Sequence, residues 1–288
     1  PLVNTEKGRF PGHFTAGFEA SDALPRLVSI KAGTKVNVVP GKAKAAVEGF
    51  EMAALEKAAA ETKEETGISF EFAAEGTVTE ITATGIGAHA STPDVGNNAL
   101  TGLLVFLGKL DFASCPQVDM VRKTASLFPH GDVNGKTLGV AMEDELSGNL
   151  TLSFNMLTVD AASMDGEFDG RIPVCGNDEN VLEVVRARMA EQGLTLLNKA
   201  LIPPHHVSAD SYFVKTLLAA FELYTGRKGE CQALGGGTYV HHLENGVAFG
   251  AAMPETDNKM HGPDEFAVVD ELLVSAKIFA QAIVDLCG

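Results

Sequence analysis

A strand, helix, strand order occupies Ala43 to Phe72 and returns from Glu167 to Ile202, and this recurrence limits what the chain can become. In the first unit an alternating strand over NVVPGKAKAAVEG, bent at Pro40-Gly41, precedes an Ala-, Glu- and Lys-rich helix from Glu51 to Glu65 that stops at Gly67. The alternating stretches ISFEFAAEG and TVTEITATG then predict a hairpin turning near Gly76. In the second unit GEFDGRIPV reads as a strand. Asp178 to Gln192 puts Val181, Val185 and Met189 on one helical face, and LTLLNKALIP is a strand again. Two units of this kind predict two lobes of similar build rather than one continuous sheet. Pro203-Pro204 ends the pattern and marks a boundary. Beyond it, Ser211 to Tyr224 is a helix with Phe213, Leu217, Phe221 and Tyr224 on one side. The last helix repeats Leu272, Ala276, Phe279, Ile283 and Leu286 at helical steps, so it needs a sheet or other helices to cover it.

The chain has 288 residues and 45% apolar content without a long apolar run, enough for a large core and too little for a membrane span. A net charge of −16, spread along the sequence, disfavours nucleic acid and anionic membrane as partners, because both are polyanions. Cys115, Cys175, Cys231 and Cys287 are too far apart for a zinc knuckle or a redox dithiol, which predicts buried thiols in a reducing cytoplasm. No basic leader followed by an apolar core opens the sequence. Pro1 stands where an initiating methionine would, and Leu2-Val3 begins as if in mid-sheet, so a processed or truncated piece is expected.

Chemistry concentrates at a few places. His89 lies in ITATGIGAHASTPDVGNNAL, on a glycine-loosened loop between a strand and a helix that Asn97 or Asn98 could cap. A histidine there either reaches a ligand or is solvated. Gly235-Gly236-Gly237-Thr238 is either a flexible turn or a nest of backbone N–H groups for an anion. Arg171, before a proline, is either a bidentate carboxylate clamp or a salt-bridge partner of Asp169 or Glu167. The pairs His205-His206 and His241-His242 lack the spacing of a helical metal site and read as structural, whereas His261 sits in a rigid Gly-Pro turn before the last helix. The acidic triplet Glu143-Asp144-Glu145 reads as solvent-facing.

Taken in order, NTEKG, NVVP, G-x-x-AH-x-STP-x-x-G-x-NA, GRIPV, GGGTY and MH-x-P-x-E run from Pro1 to the last helix. This series resembles the dinuclear-zinc metallopeptidases of the aminoacylase and carboxypeptidase superfamily, most nearly the bacterial Xaa-His, carnosinase-like dipeptidases with an enlarged lid. The resemblance implies an α/β chain. It would comprise a catalytic-domain remnant at 1–12, a two-lobed lid of antiparallel sheets and helices at 13–205 (lobes 13–110 and 111–205), and a C-terminal catalytic segment at 206–288. It further implies that His89 stabilises the oxyanion of a scissile carbonyl, that Asn37 and Arg171 hold a substrate carboxylate, and that Gly235, Gly236, Gly237 and Thr238 line the same pocket. His261 would bind the second of two zinc ions.

The upstream His-x-Asp pair, the Glu-Glu pair and a further Asp that such a zinc site needs are not expected among these residues: the one His-x-Asp triplet, His130-Gly131-Asp132, lies in mid-chain. Glu64-Glu65 falls on a helix instead. The chain is therefore expected to be an inactive part of a monomeric cytoplasmic dipeptidase, its partners being a dipeptide and the missing N-terminal catalytic segment. A carboxylate-binding module without metal is the competing expectation, and an interaction domain that dimerises through its first lobe is a third.

Overall fold

The computed structural model describes residues 2–250, 253, 255–259 and 264–288. Two sheets meet at Lys7. Strand β1 (Leu2–Glu6) ends there and β2 (Gly8–Gly17) begins, so the chain passes from one sheet into the other across a single residue. The larger sheet continues with β3 (Arg26–Ala32) and, after the two-residue strand β4 (Val38–Val39), with β5 (Lys42–Glu48). Helix α1 (Met52–Thr66) follows and stops where Gly67 takes φ 73°, the left-handed conformation that glycine adopts cheaply. The hairpin β6 (Ser69–Glu75) and β7 (Val78–Thr84) turns at Gly76, as the alternation predicts.

After β8 (Ala88–His89) and a 3-10 turn at Pro93–Val95 comes α2 (Ala99–Gly108), with Asn98 as its cap. The Asn98 side-chain oxygen accepts from the amides of Leu100 at 2.9 Å and Thr101 at 3.2 Å, which satisfies donors the helix itself leaves free. Helix α3 (Pro116–Leu127), the hairpin β9 (Glu143–Asp144) and β10 (Gly148–Asn149), and the long strands β11 (Thr151–Val159) and β12 (Ser163–Ile172) come next. A π-helical turn at Asp178–Leu182 opens α4 (Glu183–Glu191). Of the strand expected over LTLLNKALIP, only β13 (Thr195–Leu196) and a bridge from Ile202 to Arg9 form.

The strand order of the large sheet is β13-β2-β12-β11-β3-β5-β7-β6, antiparallel throughout. The two recurring units thus share one sheet, contrary to the expectation of separate lobes. Their seam is short, pairing Leu157–Val159 of β11 with Ile30–Ala32 of β3. Strand β2 alternates buried and outward residues along its length, so one face is packed and the other open. On the packed face Phe168 lies opposite Gly12 and Phe14 opposite Gly166, each ring occupying the space a Cβ would need on the facing strand.

The smaller sheet has β1 at its centre. It pairs with β14 (His205–His206), parallel to β15 (Cys231–Leu234), and with β16 (Ala248–Phe249). Leu2, Val214, Leu217, Phe221, Ile278 and Ala282 form its core with α5 (Tyr212–Thr225) and α6 (Val269–Cys287). The other side of α6 is bare, with Val269, Leu273, Ile283 and Val284 all exposed. No helix among the described residues is long and apolar enough to cross a membrane. The cysteines are unpaired, but only Cys115 is buried, and Cys175 and Cys287 are exposed, which corrects the expectation of buried thiols.

Candidate functional site

Four segments far apart in sequence come together where the two sheets adjoin. Pairing of β4 with β8 sets Val38 opposite His89, and the Ala90 amide donates to the Asn37 carbonyl at 3.0 Å, so Asn37 and His89 are held on adjoining strands. The Ser91 backbone N–H donates to His89 Nδ1 at 3.1 Å, which makes that nitrogen an acceptor. Ser91 Oγ then donates to the same atom at 2.7 Å, and the imidazole proton belongs on Nε2. His89 is exposed and thus offers an N–H donor, the form suited to a developing oxyanion.

Ser91 also faces the glycine turn, since a Cβ placed on Gly235 would stand 3.4 Å from Ser91 Cβ. The guanidinium of Arg171, near the end of β12, donates to the Gly235 carbonyl at 3.2 Å, and a Cβ on Gly236 would stand 3.6 Å from one of its nitrogens. At both glycines a Cβ would meet only ordinary van der Waals contact, so the turn lies beside Ser91 and Arg171 without crowding them.

Arg171 is buried and paired with Asp169, whose two oxygens accept from Nε at 2.5 Å and from the second terminal nitrogen at 3.1 Å. Of the two readings the sequence left open, the salt bridge is therefore made. The pairing uses one edge of the planar fork, leaving N–H groups on the terminal nitrogens. Burial pushes the Asp169 carboxyl above its usual range, against the opposing pull of Arg171 and, more weakly, His89 and Arg9. Lys7 adds a second cation. Burial and the nearby Arg171 charge hold its amine below the ordinary lysine value, with Asp144 pulling the other way.

What fixes the glycine turn is a buried group that the sequence reading passed over. Glu6 is fully enclosed at the end of the central strand β1. One of its oxygens accepts from the Thr238 amide at 3.1 Å and the Thr238 hydroxyl at 2.5 Å, and the other lies 2.7 Å from His241 Nδ1. The second ring nitrogen of His241 lies 2.9 Å from the Pro203 carbonyl, which can only accept. Burial alone would raise the Glu6 carboxyl, but the bonds from Thr238 and His241 outweigh it and hold it below the ordinary glutamate value. With Glu6 ionised, both ring nitrogens of His241 face acceptors, so both carry protons and the pair is a buried ion pair. The sequence signal was present in NTEKG, but nothing local said that residue 6 meets residue 238.

The remaining polar candidates have structural roles. Asp144 of the acidic triplet accepts from the Ser147 amide at 2.6 Å and the Cys175 amide at 3.0 Å, tying a turn together. His206 bonds Thr5 at 2.9 Å and His205 bonds the Gly246 carbonyl at 2.6 Å. His261 lies outside the described residues. Among the described residues no group of three or more His, Cys, Asp or Glu is placed to hold a metal ion. The donors that would be needed for a pair of zinc ions are thus not assembled by these residues.

No family model matches the chain. It is 34% identical, over 99% of its length and 61% of the relative's, to a Bacillus subtilis protein named "Putative dipeptidase YtjP". It is 31% identical, over 99% of its length and 60% of the relative's, to the beta-Ala-Xaa dipeptidase of Lactobacillus delbrueckii subsp. lactis. The chain therefore spans about three-fifths of the length of these relatives. Among solved structures, that of the aminoacylhistidine dipeptidase of Vibrio alginolyticus superimposes with a TM-score of 0.52 at 12% identity, covering 99% of this chain and 62% of that one, a likeness of fold.

Proposed function

We propose that this chain, which is homologous to part of the bacterial dipeptidases of the aminoacylase and carboxypeptidase superfamily, supplies the substrate-holding lid and the C-terminal catalytic segment of a metallo-dipeptidase. The observation that carries the reading is the convergence of Asn37, His89, Arg171 and the Gly235–Gly236 turn at one place between the sheets. In this reading the large sheet with α1 to α4 is the lid, and the small sheet with α5 and α6 belongs to the catalytic part. On this reading the passage between them at Lys7 is the division, a few residues before position 13.

The substrate is a short peptide with a free C-terminal carboxylate. Asn37 and the N–H groups of Arg171 not taken by Asp169 and Gly235 hold that carboxylate, with Lys7 adding to the positive field and Gly236 and Gly237 offering backbone donors, while Thr238 is engaged with Glu6. His89, with its proton on Nε2, stabilises the oxyanion that forms at the scissile carbonyl. Two zinc ions would supply the attacking hydroxide in the whole enzyme, and their carboxylate and imidazole donors come from residues beyond those described, His261 among them. The exposed apolar side of α6 is the face that this further catalytic segment covers. The whole enzyme works as a cytoplasmic monomer, the large sheet supplying internally what a dimer would supply between chains.

Titration calorimetry of the chain with a dipeptide and with its C-terminal carboxamide tests the carboxylate site. The acid should bind more tightly than the amide, and Asn37→Ala, at an exposed position, should narrow that difference about fivefold for one lost polar contact. Equal binding of acid and amide would remove the reading. The chain with added zinc should not hydrolyse the dipeptide, and turnover by it alone would show that the metal donors are all present. Carboxylate binding by a full-length homologue that carries no stoichiometric metal would instead favour a non-catalytic binding module.

A further inference from the structure

A cavity of 360 Å³ lies between α2 and α3, lined by groups that take no part in the cluster around Arg171. Its α3 wall is Val118, Val121, Arg122 and Ala125, spaced so that all four fall on one helical face. Leu104 and Leu107 of α2 form the opposite wall. The size is at the low end for a small-molecule site, and the lining is that of an apolar ligand's pocket with a few polar groups at its edge.

The polar groups fall into two kinds. His130 stands in the wall with Nδ1 2.9 Å from Thr101 Oγ1, and burial lowers its pKa despite the opposing influence of Glu65 and the Thr66 backbone, so the ring is uncharged at neutral pH. Glu65 is already compensated by Lys109 at 2.9 Å. Arg122 is exposed at the mouth, and no ion pair to it occurs among the described residues. The uncompensated charge at the opening is therefore a guanidinium, beside a pocket lined mostly by aliphatic and phenyl groups.

We propose that this cavity binds a small amphipathic monocarboxylate, an aliphatic or aryl acid whose tail lies between α2 and α3 and whose carboxylate pairs with Arg122. A single chain fits the volume, and a planar guanidinium matches a carboxylate's two oxygens. The carboxylate is the half of the ligand that sets orientation, because the apolar walls discriminate little between tails.

Octanoate titrated into the 288-residue chain, followed by calorimetry and by methyl NMR of the valines, tests this. Saturable binding with shifts at Val118 and Val121 is expected, and octanamide, which has the same tail without the charge, should bind about tenfold more weakly. Arg122→Gln should remove most of that difference, and Ala125→Phe, which fills the space, should abolish binding. Thermal unfolding by circular dichroism checks both variants for folding. Should Ala125→Phe unfold, Arg122→Gln decides, because that side chain is exposed and no hydrogen bond or ion pair to it occurs among the described residues. Equal affinity for octanoate and octanamide, octanoate binding unchanged in Arg122→Gln, or failure to saturate would overturn the proposal.

Discussion

Replacing Glu6 by alanine and, separately, by glutamine tests whether the clamp on the glycine turn is a buried ion pair. Glu6 is fully enclosed, and its carboxylate takes two bonds from Thr238 and one from His241. Alanine strands the His241 imidazolium and both Thr238 donors, the situation in which breaking one side of a buried pair costs about 3–5 kcal/mol. Glutamine behaves differently. Its amide oxygen can still accept from Thr238, and its NH2 can donate to a His241 that has given up the Nδ1 proton while Nε2–H keeps the Pro203 carbonyl. Only the charged component of the interaction is lost, about 1–2 kcal/mol. Urea unfolding at pH 7 should therefore rank wild type above glutamine above alanine.

The pH dependence supplies an independent reading of the same pair. Because the folded-state pKa of Glu6 lies below the ordinary 4.5, its contribution is whole above that value and is lost as pH falls through the lower folded value. The gap between wild type and Glu6→Gln should close across that acid range. A Glu6→Ala variant within about 1 kcal/mol of wild type, or a gap to glutamine that persists unchanged below the folded pKa, would refute the ionised pair.

Two further perturbations probe the frame that positions the site. Asn98→Ala removes both the cap of α2 and the bond from its Nδ2 to the Phe154 carbonyl at 2.8 Å, and should cost about 1–2 kcal/mol by thermal or urea unfolding. Gly12→Ala would set a methyl carbon 2.0 Å from the Phe168 ring on the facing strand, so at least 1–3 kcal/mol of overpacking, roughly, is expected; a neutral result would mean the ring does not lie across that glycine.

Local chemistry was legible along most of the chain. Arg26 to Ala32 alternates and is β3, Gly67 ends α1, Gly76 turns the β6–β7 hairpin, and Asn98 caps α2, because each of these outcomes depends on residues within a turn or two of one another. His89, Asn37, Arg171 and Gly235 could be picked out singly by residue type and by the order of motifs, and the fold does bring them together.

Tertiary structure decided what spacing could not reach. Whether the two strand–helix–strand units share a sheet depends on three pairings between β3 and β11, and alternation is the same in one sheet as in two. Arg171 meets Asp169 two residues away on the same face of β12, but that it also reaches the Gly235 carbonyl depends on where the smaller sheet carries the glycine turn. Glu6 and His241 are 235 positions apart, and they meet only because β1 runs through the middle of the smaller sheet and carries a carboxylate into an enclosed place. Period and propensity act between neighbours in sequence, so they determine elements. Desolvation and charge pairing act between neighbours in space, and so the electrostatics of this site belong to the fold.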